Sequence, residues 1–301
     1  RPPISTLLPS TTLFRSDLPV PDFVRAPAAI PSYGGVTAWR EALAAGLAPG
    51  LHRAAPEDLA VMPYTSGTTG KPKGCMHTHS SVLSTSTAGC HWRGASSGAV
   101  ALAVLPMFHV TGMQAGMNTP IQAGATSVVM TRWDRECAAM QIERARVTGF
   151  TAITTMVVDF LANPNLSKYD LSSMTTLGGG GAAMPEALAK KLYETLGLEF
   201  IEGYGLTETM APSHSNPPQR PKRQCGGIPI FDTDSRVLDP ETFRECGPNE
   251  VGEIVMRGPQ VFKGYWRQEK ATAEAFIEHD GKKEYVEEVG SMNICFLYGG
   301  R

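Results

Sequence analysis

The chain has 301 residues, of which 42% are hydrophobic, so it can form one large domain or two smaller ones around a buried core. Its 27 basic and 29 acidic side chains give a formal net charge of −2, and no charged surface for nucleic acid or an anionic membrane stands out. Small-molecule chemistry is therefore the default expectation.

Two features bear on location. The longest apolar stretch, residues 99–105, is far shorter than the roughly 20 residues of a membrane-spanning helix. The six cysteines are scattered without a Cys-x-x-Cys pair, and the first residues lack a secretory pattern. We therefore expect a cytoplasmic protein with reduced thiols and no transmembrane segment.

The N-terminal part of the chain says little about the fold. Residues 1–16, RPPISTLLPSTTLFRS, show neither helical nor strand periodicity and resemble translated adapter sequence, so we interpret them as a non-native leader. Residues 17–56 are rich in Pro, Gly and Ala and contain one predicted helix, over residues 37–45.

Further along, short β-branched runs alternate with amphipathic helical segments. The runs predict buried strands over residues 59–64, 100–105, 125–130 and 152–155. Helices are predicted over residues 134–146 and 185–196, the second with Pro185 at its first position and with Leu188, Leu192 and Leu196 on one face. This alternation is typical of an α/β fold with layered, mostly parallel sheets.

After residue 226 the pattern changes to short strands separated by turns. Residues 235–238 and 251–257 predict a strand pair. We therefore predict a partial α/β core over residues 17–225 and a small β-rich subdomain over residues 226–301.

The strongest chemical signal is the sequence YTSGTTGKPKG, residues 64–74, which follows a predicted strand. Its glycines let backbone N–H groups approach an anion, its Ser and Thr hydroxyls add donors, and Lys71 and Lys73 add positive charge. The loop is suited to a pyrophosphate group. A Walker-type loop is excluded because Thr65 and Pro72 occupy the positions where that motif needs Gly and Ser or Thr, and a flexible linker is the remaining alternative.

Other stretches have physical readings of their own. Residues 178–183 leave a strand end almost without side chains, where a flat ring could lie, or they form a tight turn before a helix. In residues 203–208, Tyr204 can stack on a purine and Glu208 offers a hard carboxylate, although an exposed loop Glu is often only solvated. A lone histidine such as His109 is more often a core residue than a catalyst. His77 and His79 lack a third ligand nearby and are interpreted as ordinary residues at a helix start.

Five motifs taken together carry a family resemblance. They are residues 64–74, LPMFHVTG (105–112), GGGGAAMP (178–185), IEGYGLTET (201–209) and GEIVMRGPQVFKGYW (252–266). In this order they resemble the acyl-adenylate-forming (AMP-binding) superfamily, and within it bacterial fatty-acyl-CoA ligases. The resemblance implies the N-terminal core of that family, in incomplete form.

The resemblance also implies roles for individual residues. Lys71, Lys73, His109 and Glu208 would be catalytic, with Glu208 holding Mg²⁺ and His109 supporting the reacting carboxylate electrostatically. The residues expected to bind the nucleotide and its phosphates are Thr65, Ser66, Gly67, Thr68, Thr69, Gly70, Gly74, Gly180, Gly181, Ala182, Ala183, Glu202, Gly203, Tyr204, Gly205, Thr207, Glu288 and Arg301.

The C-terminal residues depart from the family pattern. A Thr-Gly-Asp segment is expected after Trp266, but residues 284–301 read EYVEEVGSMNICFLYGGR, so that Glu288 takes the place of the ribose-binding aspartate only with a one-residue shift. Gly300 and Arg301 match the hinge before the family's small C-terminal domain, which this sequence lacks. We therefore expect weak nucleotide binding and poor catalysis from this polypeptide alone.

The implied reaction is ATP-dependent activation of a carboxylic acid, of the fatty-acid class, to acyl-AMP and pyrophosphate, followed by transfer to coenzyme A. ATP, Mg²⁺, coenzyme A and the small-molecule acid are the expected partners. Two alternatives stay open. One is an adenylating enzyme that loads a carrier protein, and the other is a catalytically impaired nucleotide-binding remnant.

Overall fold

The computed structural model describes residues 39–48, 50–65, 71–248, 250–279 and 281–286. The chain divides into two compact units, residues 1–53 and residues 54–301. The described part of the first unit contains the short helix α1 (Trp39–Ala44). The helix predicted over residues 37–45 is therefore confirmed for its central part, while residues 37 and 38 lie outside the described residues.

The larger unit is built on a mixed sheet of seven strands. Its members are β3 (Val100–Ala103), β4 (Thr126–Val129), β5 (Gly149–Thr151), β6 (Thr176–Gly179), β7 (Phe200–Leu206), β8 (Ala211–Ser215) and β9 (Ile228–Pro229). The spatial order is β4-β3-β5-β6-β7-β8-β9, parallel from β4 to β7 and antiparallel beyond β7. The predicted α/β fold with a mostly parallel sheet is confirmed.

Helices connect the successive parallel strands from β3 to β7, as crossover connections require, and one further helix precedes β3. In chain order they are α2 (His79–Arg93), α3 (Val110–Gly112), a π-helical turn (Met113–Asn118), α4 (Thr119–Ala123), α5 (Arg135–Ala145), α6 (Thr154–Leu161) and α7 (Glu186–Leu196). A single 3₁₀ turn (Leu166–Lys168) follows α6. Within the described ranges, no helix combines the length and apolar character needed to cross a bilayer.

Both predicted helices form, and their ends have local causes. The Asp134 side chain accepts a hydrogen bond from Cys137 N and caps α5, which ends at Arg146 in the left-handed conformation. Pro185 is the N-cap of α7 rather than its first residue, and Gly197 ends that helix with φ +69°. Leu192 is fully buried, so the predicted apolar face is the one that packs.

One predicted strand is wrong. The sequence placed a strand over residues 152–155, but β5 ends at Thr151 and α6 begins at Thr154, with Ile153 as its N-cap. The β-branched run suggested extended backbone. Met156 and Phe160 recur at helical spacing and are buried, and this packing outweighs the local propensity.

A second, four-stranded antiparallel sheet follows, in the order β10-β11-β13-β12. Its strands are β10 (Asp234–Leu238), β11 (Glu253–Arg257), β12 (Phe276–His279) and β13 (Lys282–Val286), with the short helix α8 (Glu269–Glu274) before β12. The predicted strand pair is confirmed as β10 and β11, in a register that places Val237 opposite Ile254. The domain division at residues 225 and 226 stays a prediction.

Candidate active site

The base of the predicted phosphate loop is a small antiparallel ladder. Strand β1 (Leu59–Val61) enters the loop and β2 (His77–Thr78) leaves it, and the two strands pair with each other. Thr65 N donates to Lys73 O at 2.9 Å, and Cys75 N donates to Pro63 O at 2.8 Å. The two arms are thus fixed on either side of residues 66–72. Of the predicted loop residues, Ser66, Gly67, Thr68, Thr69 and Gly70 lie outside the described residues, as do Glu288 and Arg301.

The two predicted loop lysines differ in their surroundings. Lys71 is exposed, whereas Lys73 is half-buried. The Lys73 ammonium lies 4.4 Å from the centroid of the Tyr265 ring, within the range of a cation–π contact. Of the two lysines, Lys73 is therefore the one for which the structure shows a contact that holds the side chain in place.

The exit arm of the loop is tied to a distant motif. Residues 262–266, here called the strap, run antiparallel to residues 74–76. Lys263 N donates to Met76 O at 2.9 Å, Met76 N to Gly264 O at 3.0 Å, and Trp266 N to Gly74 O at 2.8 Å. Gly74, a predicted site residue, is buried under this contact. The sequence motif at residues 252–266 thereby reaches the phosphate loop, which the sequence alone did not indicate.

The strap also holds Glu208. Phe262 N donates to the Glu208 carbonyl at 2.9 Å, and the Tyr265 hydroxyl donates to Glu208 Oε1 at 2.7 Å. The Glu208 residue is 8% exposed, so it is not the solvated loop carboxylate that the sequence left open. Lys73 and Glu208, two predicted catalytic residues, therefore both contact Tyr265.

The groups around this carboxylate are neutral donors. Burial, with the Glu208 charge nearby, raises the pKa of Tyr265, and it raises the pKa of Tyr285 and of the Cys75 thiol in the same way. Tyr265 and Tyr285 belong to the same buried cluster. All three groups stay protonated near neutral pH, so they can support the carboxylate without adding negative charge.

His77 is a site residue that the sequence interpretation missed. It lies in β2 and is fully buried, with Nε2 2.8 Å from the Thr207 carbonyl and Nδ1 3.2 Å from Ser81 Oγ. Burial lowers the pKa of His77 to about 4, so the ring is neutral and Nε2–H donates to the Thr207 carbonyl. His77 thereby fixes the residue that precedes Glu208. A histidine three residues after a phosphate loop gives no sequence signal for this contact.

The glycine-rich stretch after β6 has two physical causes. A Cβ on Gly178, Gly179 or Gly180 would lie 2.6, 1.8 or 2.3 Å from the backbone oxygen of a neighbouring strand or loop, so these three glycines are required by close backbone packing. Gly181 has φ +88°, and a Cβ added to it would have no heavy atom within 4 Å. Gly181, Ala182 and Ala183 are exposed, and they form the open end of the stretch.

Glu202 is buried and binds backbone groups. Its Oε2 accepts from Met184 N at 3.2 Å and its Oε1 accepts from Gln224 N at 2.6 Å. Burial raises the pKa of Glu202, and these two hydrogen bonds oppose the shift. The carboxylate joins the segment before α7 to the segment after β8. Its predicted contact with adenosine stays a prediction.

The sequence GYGL, residues 203–206, forms the end of β7, and Thr207 follows it. Gly205 is needed there because a Cβ added to it would lie 2.0 Å from Ala211 O. Gly203 pairs with Ser215 of β8. The Tyr204 ring packs against the core of the small sheet, and its hydroxyl is buried with no hydrogen-bond partner among the described residues. The Thr65 hydroxyl is also buried, and it too has no hydrogen-bond partner among the residues that the structure describes. Stacking of Tyr204 on a purine stays a prediction.

His109 is an exposed helix cap. Its Nδ1 accepts from Thr111 N at 3.2 Å at the start of α3, and the π-helical turn follows. The core-histidine alternative is therefore wrong, because the ring lies at the surface. π-Helical turns occur frequently at functional sites, which agrees with an acyl-binding role without testing it.

Several known proteins are similar to this chain. A sequence profile described as AMP-binding enzyme matches residues 20–266. The long-chain-fatty-acid–CoA ligase of Bacillus subtilis (strain 168) is 35% identical over 247 residues, covering 79% of this chain and 44% of the relative. A long-chain-fatty-acid–CoA ligase from Archaeoglobus fulgidus has a TM-score of 0.71 at 31% identity, covering 76% of this chain and 48% of that one. ATP-bound MatB from Rhodopseudomonas palustris has a TM-score of 0.70 at 27% identity, covering 77% and 48%.

These matches agree with the five sequence motifs and with the sheet topology. The chain spans about half the length of the curated relatives it matches. The profile covers most of the chain, including the loop, the end of β7 and the strap. On these grounds, the chain belongs to the AMP-binding enzyme family.

Proposed function

We propose that this chain carries the nucleotide-binding core of an ATP-dependent acid–thiol ligase. The reaction joins a carboxylic acid of the fatty-acid class to AMP, releasing pyrophosphate, and then transfers the acyl group to coenzyme A. The observation that carries the proposal is the convergence of Lys73 and Glu208 on Tyr265, which places a cation and a carboxylate beside the base of a phosphate loop. The fatty-acid class rests on the names of the two ligases described above.

The donor set near Glu208 fits Mg²⁺. Magnesium takes one or two protein carboxylates and keeps water or phosphate oxygens for its remaining positions. Among the residues that the structure describes, no three or more His, Cys, Asp and Glu side chains are grouped so that they could hold a metal ion, so Glu208 is proposed as a single protein ligand. The bound cation supplies neutralisation of the phosphate charges.

The protein's own residues are proposed to orient the acid and ATP and to offset their negative charges. In the first half-reaction the acid's carboxylate oxygen attacks the α-phosphorus of ATP as the bond to pyrophosphate breaks, so two anions must meet. The Lys73 ammonium and the loop N–H groups offset this repulsion, and Lys71 adds charge from a more exposed position. His109, at the start of α3, supports the reacting carboxylate. The thiol of coenzyme A then attacks the acyl carbon and AMP leaves.

The nucleoside is assigned to the ends of β6 and β7. Gly180, Gly181, Ala182 and Ala183 form a surface with little side-chain bulk, and Gly203, Tyr204, Gly205 and Thr207 follow on the neighbouring strand. The Tyr204 and Thr65 hydroxyls are buried and have no hydrogen-bond partner among the described residues, and a bound ligand or water would supply one. A cytoplasmic location is part of the proposal, supported by cysteines that form no disulfide within the described ranges.

The test is carboxylate-dependent exchange of labelled pyrophosphate into ATP with acetate, medium-chain and long-chain acids. It is run on this chain and on a form extended to the length of its relatives. We expect exchange that depends on the acid, that is slow in this chain, and that Glu208→Ala abolishes. Glu194→Ala, which removes an exposed carboxylate paired with Lys190, is the matched control and should keep the wild-type rate.

Two outcomes would contradict the proposal. Folded protein without exchange in either form, but with ATP binding, would identify a nucleotide-binding remnant. Exchange that proceeds equally without any carboxylic acid would reject acid activation. Transfer to a carrier protein in place of coenzyme A in the extended form would leave adenylation standing and replace the second half-reaction.

A further inference from the structure

We infer that Tyr265 is a positioning residue that sets the Glu208 carboxylate for the divalent cation and couples it to the phosphate loop. This inference rests on the proposed function. It concerns a side chain that the sequence motifs did not single out. Tyr265 contacts both charged groups of the site, through its hydroxyl and through its ring.

The position of Tyr265 is fixed at three points. Its backbone forms a β-bridge with Cys75 in the exit arm of the loop. Its ring packs edge-on against Phe262, with centroids 4.8 Å apart, and belongs to a buried cluster with Ile254 and Met256. Its backbone N–H donates to Thr272 Oγ1 at 2.9 Å. A ring held in this way can hold other groups in place.

The hydroxyl of Tyr265 is used for the carboxylate. In a cluster that is otherwise mostly apolar, it donates to Glu208 Oε1 at 2.7 Å, and the Tyr285 side chain lies in the same cluster. A buried polar group needs such a partner, because a carboxylate left without its donor would reorient or lose stability. Outer partners that orient metal ligands typically change metal affinity by about 10- to 100-fold when they are removed.

The ring of Tyr265 is used for the cation. Lys73 lies over it at 4.4 Å from the centroid. The strap that carries Tyr265 is hydrogen-bonded to Gly74 and Met76 on one side and to the Glu208 carbonyl on the other. The separation between the loop and the carboxylate is therefore set by one segment, and Tyr265 is the residue of that segment that contacts both.

Tyr265→Phe separates these two roles, because it keeps the ring under Lys73 and removes only the hydroxyl. The chain offers a matched control in Tyr169→Phe, since the hydroxyl of Tyr169, which follows α6, also donates to a half-buried glutamate, Glu136 of α5. Both variants lose one tyrosine–carboxylate hydrogen bond. Only the first loses it at the proposed metal ligand.

The experiment is calorimetric titration of this chain with α,β-methylene ATP, with and without Mg²⁺, on the wild type and on both variants. We expect Mg²⁺ to tighten binding in the wild type and in Tyr169→Phe. In Tyr265→Phe the affinity without Mg²⁺ should be unchanged, and the Mg²⁺-dependent gain should fall by about tenfold or more. Glu208→Gln should lose the same gain, and the double variant should lose no more than either single one.

Three results would overturn the inference. The first is an unchanged Mg²⁺-dependent gain in Tyr265→Phe, and the second is an equal loss of affinity with and without Mg²⁺, which would indicate a purely structural role. The third is a wild type that binds nucleotide without any effect of Mg²⁺. A wild type that binds no nucleotide would reject the proposed function itself, and the inference with it.

A second measurement uses the unaltered protein, so it stands even where Tyr265→Phe fails to fold. The tyrosine ultraviolet difference spectrum is recorded as Mg²⁺ is added to the chain saturated with α,β-methylene ATP. We expect a tyrosine perturbation that follows the Mg²⁺ concentration, because the partner of the Tyr265 hydroxyl changes its environment. A flat difference spectrum would contradict the inference.

Discussion

At the scale of single residues, similar side chains in this site have different surroundings and therefore different expected effects. Lys71 and Lys73 are two positions apart in the loop, but only Lys73 is half-buried and lies over an aromatic ring. Charges that project into solvent are screened, whereas a partly buried charge is screened much less. The sequence assigned both lysines to the phosphates and could not rank them.

We expect Lys73→Met to slow pyrophosphate exchange by about 100-fold, because removal of one preorganised charge contact typically costs about 3 kcal/mol of barrier. Lys71→Met should change the rate by no more than about threefold, since its charge is exposed and screened. Steady-state exchange rates of both variants, at equal protein concentration, are the measurement. A larger effect at Lys71 than at Lys73 would mean that the contact with Tyr265 is not the productive position.

Glu202 is a second residue whose surroundings predict its effect. Glu202→Ala leaves the N–H groups of Met184 and Gln224 without their acceptor. Met184 is buried, and a buried donor without a partner costs about 1–3 kcal/mol, whereas Gln224 is exposed and water can replace its acceptor. We expect a clear loss of unfolding free energy in urea titrations. Glu202→Gln keeps one acceptor oxygen and should lose roughly half as much. Equal stability of wild type and Glu202→Ala would show that water replaces the carboxylate.

At the scale of elements, the sequence predicted the helices α1, α5 and α7 and the strands β1, β3, β4, β10 and β11, because periodicity and turn residues are local signals. It gave no bounds for the other described helices and strands. It did not predict the strap. The contact of residues 262–266 with residues 74–76 joins segments far apart in the chain, and no local pattern encodes which edge they share. The same limit explains the wrongly predicted strand over residues 152–155. Ile153 and Thr154 favour a strand locally, but the packing of the buried Met156 and Phe160 requires a helix.

The glycines at the end of β6 provide a prediction at this scale. A Cβ on Gly179 would lie 1.8 Å from Ala152 O, so Gly179→Ala must push β5 and β6 apart, and we expect it to lower the unfolding free energy by about 3 kcal/mol. The Cβ of Gly181→Ala would meet no neighbouring atom, so the variant is strained only by the positive φ at this position, which should lower the unfolding free energy by about 1 kcal/mol. Urea unfolding of both variants compares the two. The reverse order would show that backbone strain, not strand packing, selects these glycines.

At the scale of the whole molecule, two histidines connect the stability of the fold to pH. His77 and His214 are fully buried, and burial lowers the pKa of each from an ordinary 6.5 to about 4. His77 binds the segment that carries Glu208, and His214 lies on β8 beside Ser213, with Nδ1 2.9 Å from its hydroxyl. The neutral rings are therefore part of the packed structure beside β7 and just after its end.

The sign of the effect follows from proton linkage. Above pH 6.5 the folded and unfolded forms both hold neutral rings, and the stability is fully present. As the pH falls from about 6.5 towards about 4, the unfolded chain binds protons that the folded protein excludes, so the unfolding free energy decreases. Between about pH 7.5 and about pH 5.5 each histidine should remove roughly 1 kcal/mol.

Urea unfolding of the wild type across that interval, in which ordinary carboxylates stay ionised, measures the slope. His77→Gln places an amide donor where Nε2–H stood, keeps a partner for the Thr207 carbonyl and cannot titrate, so it should remove about half of the pH dependence. Variation of the exposed His52 should leave the slope intact. A wild-type unfolding free energy that is constant across the interval would mean that both rings accept protons in the folded state, and that the contact of His77 with the segment before Glu208 opens under mildly acidic conditions.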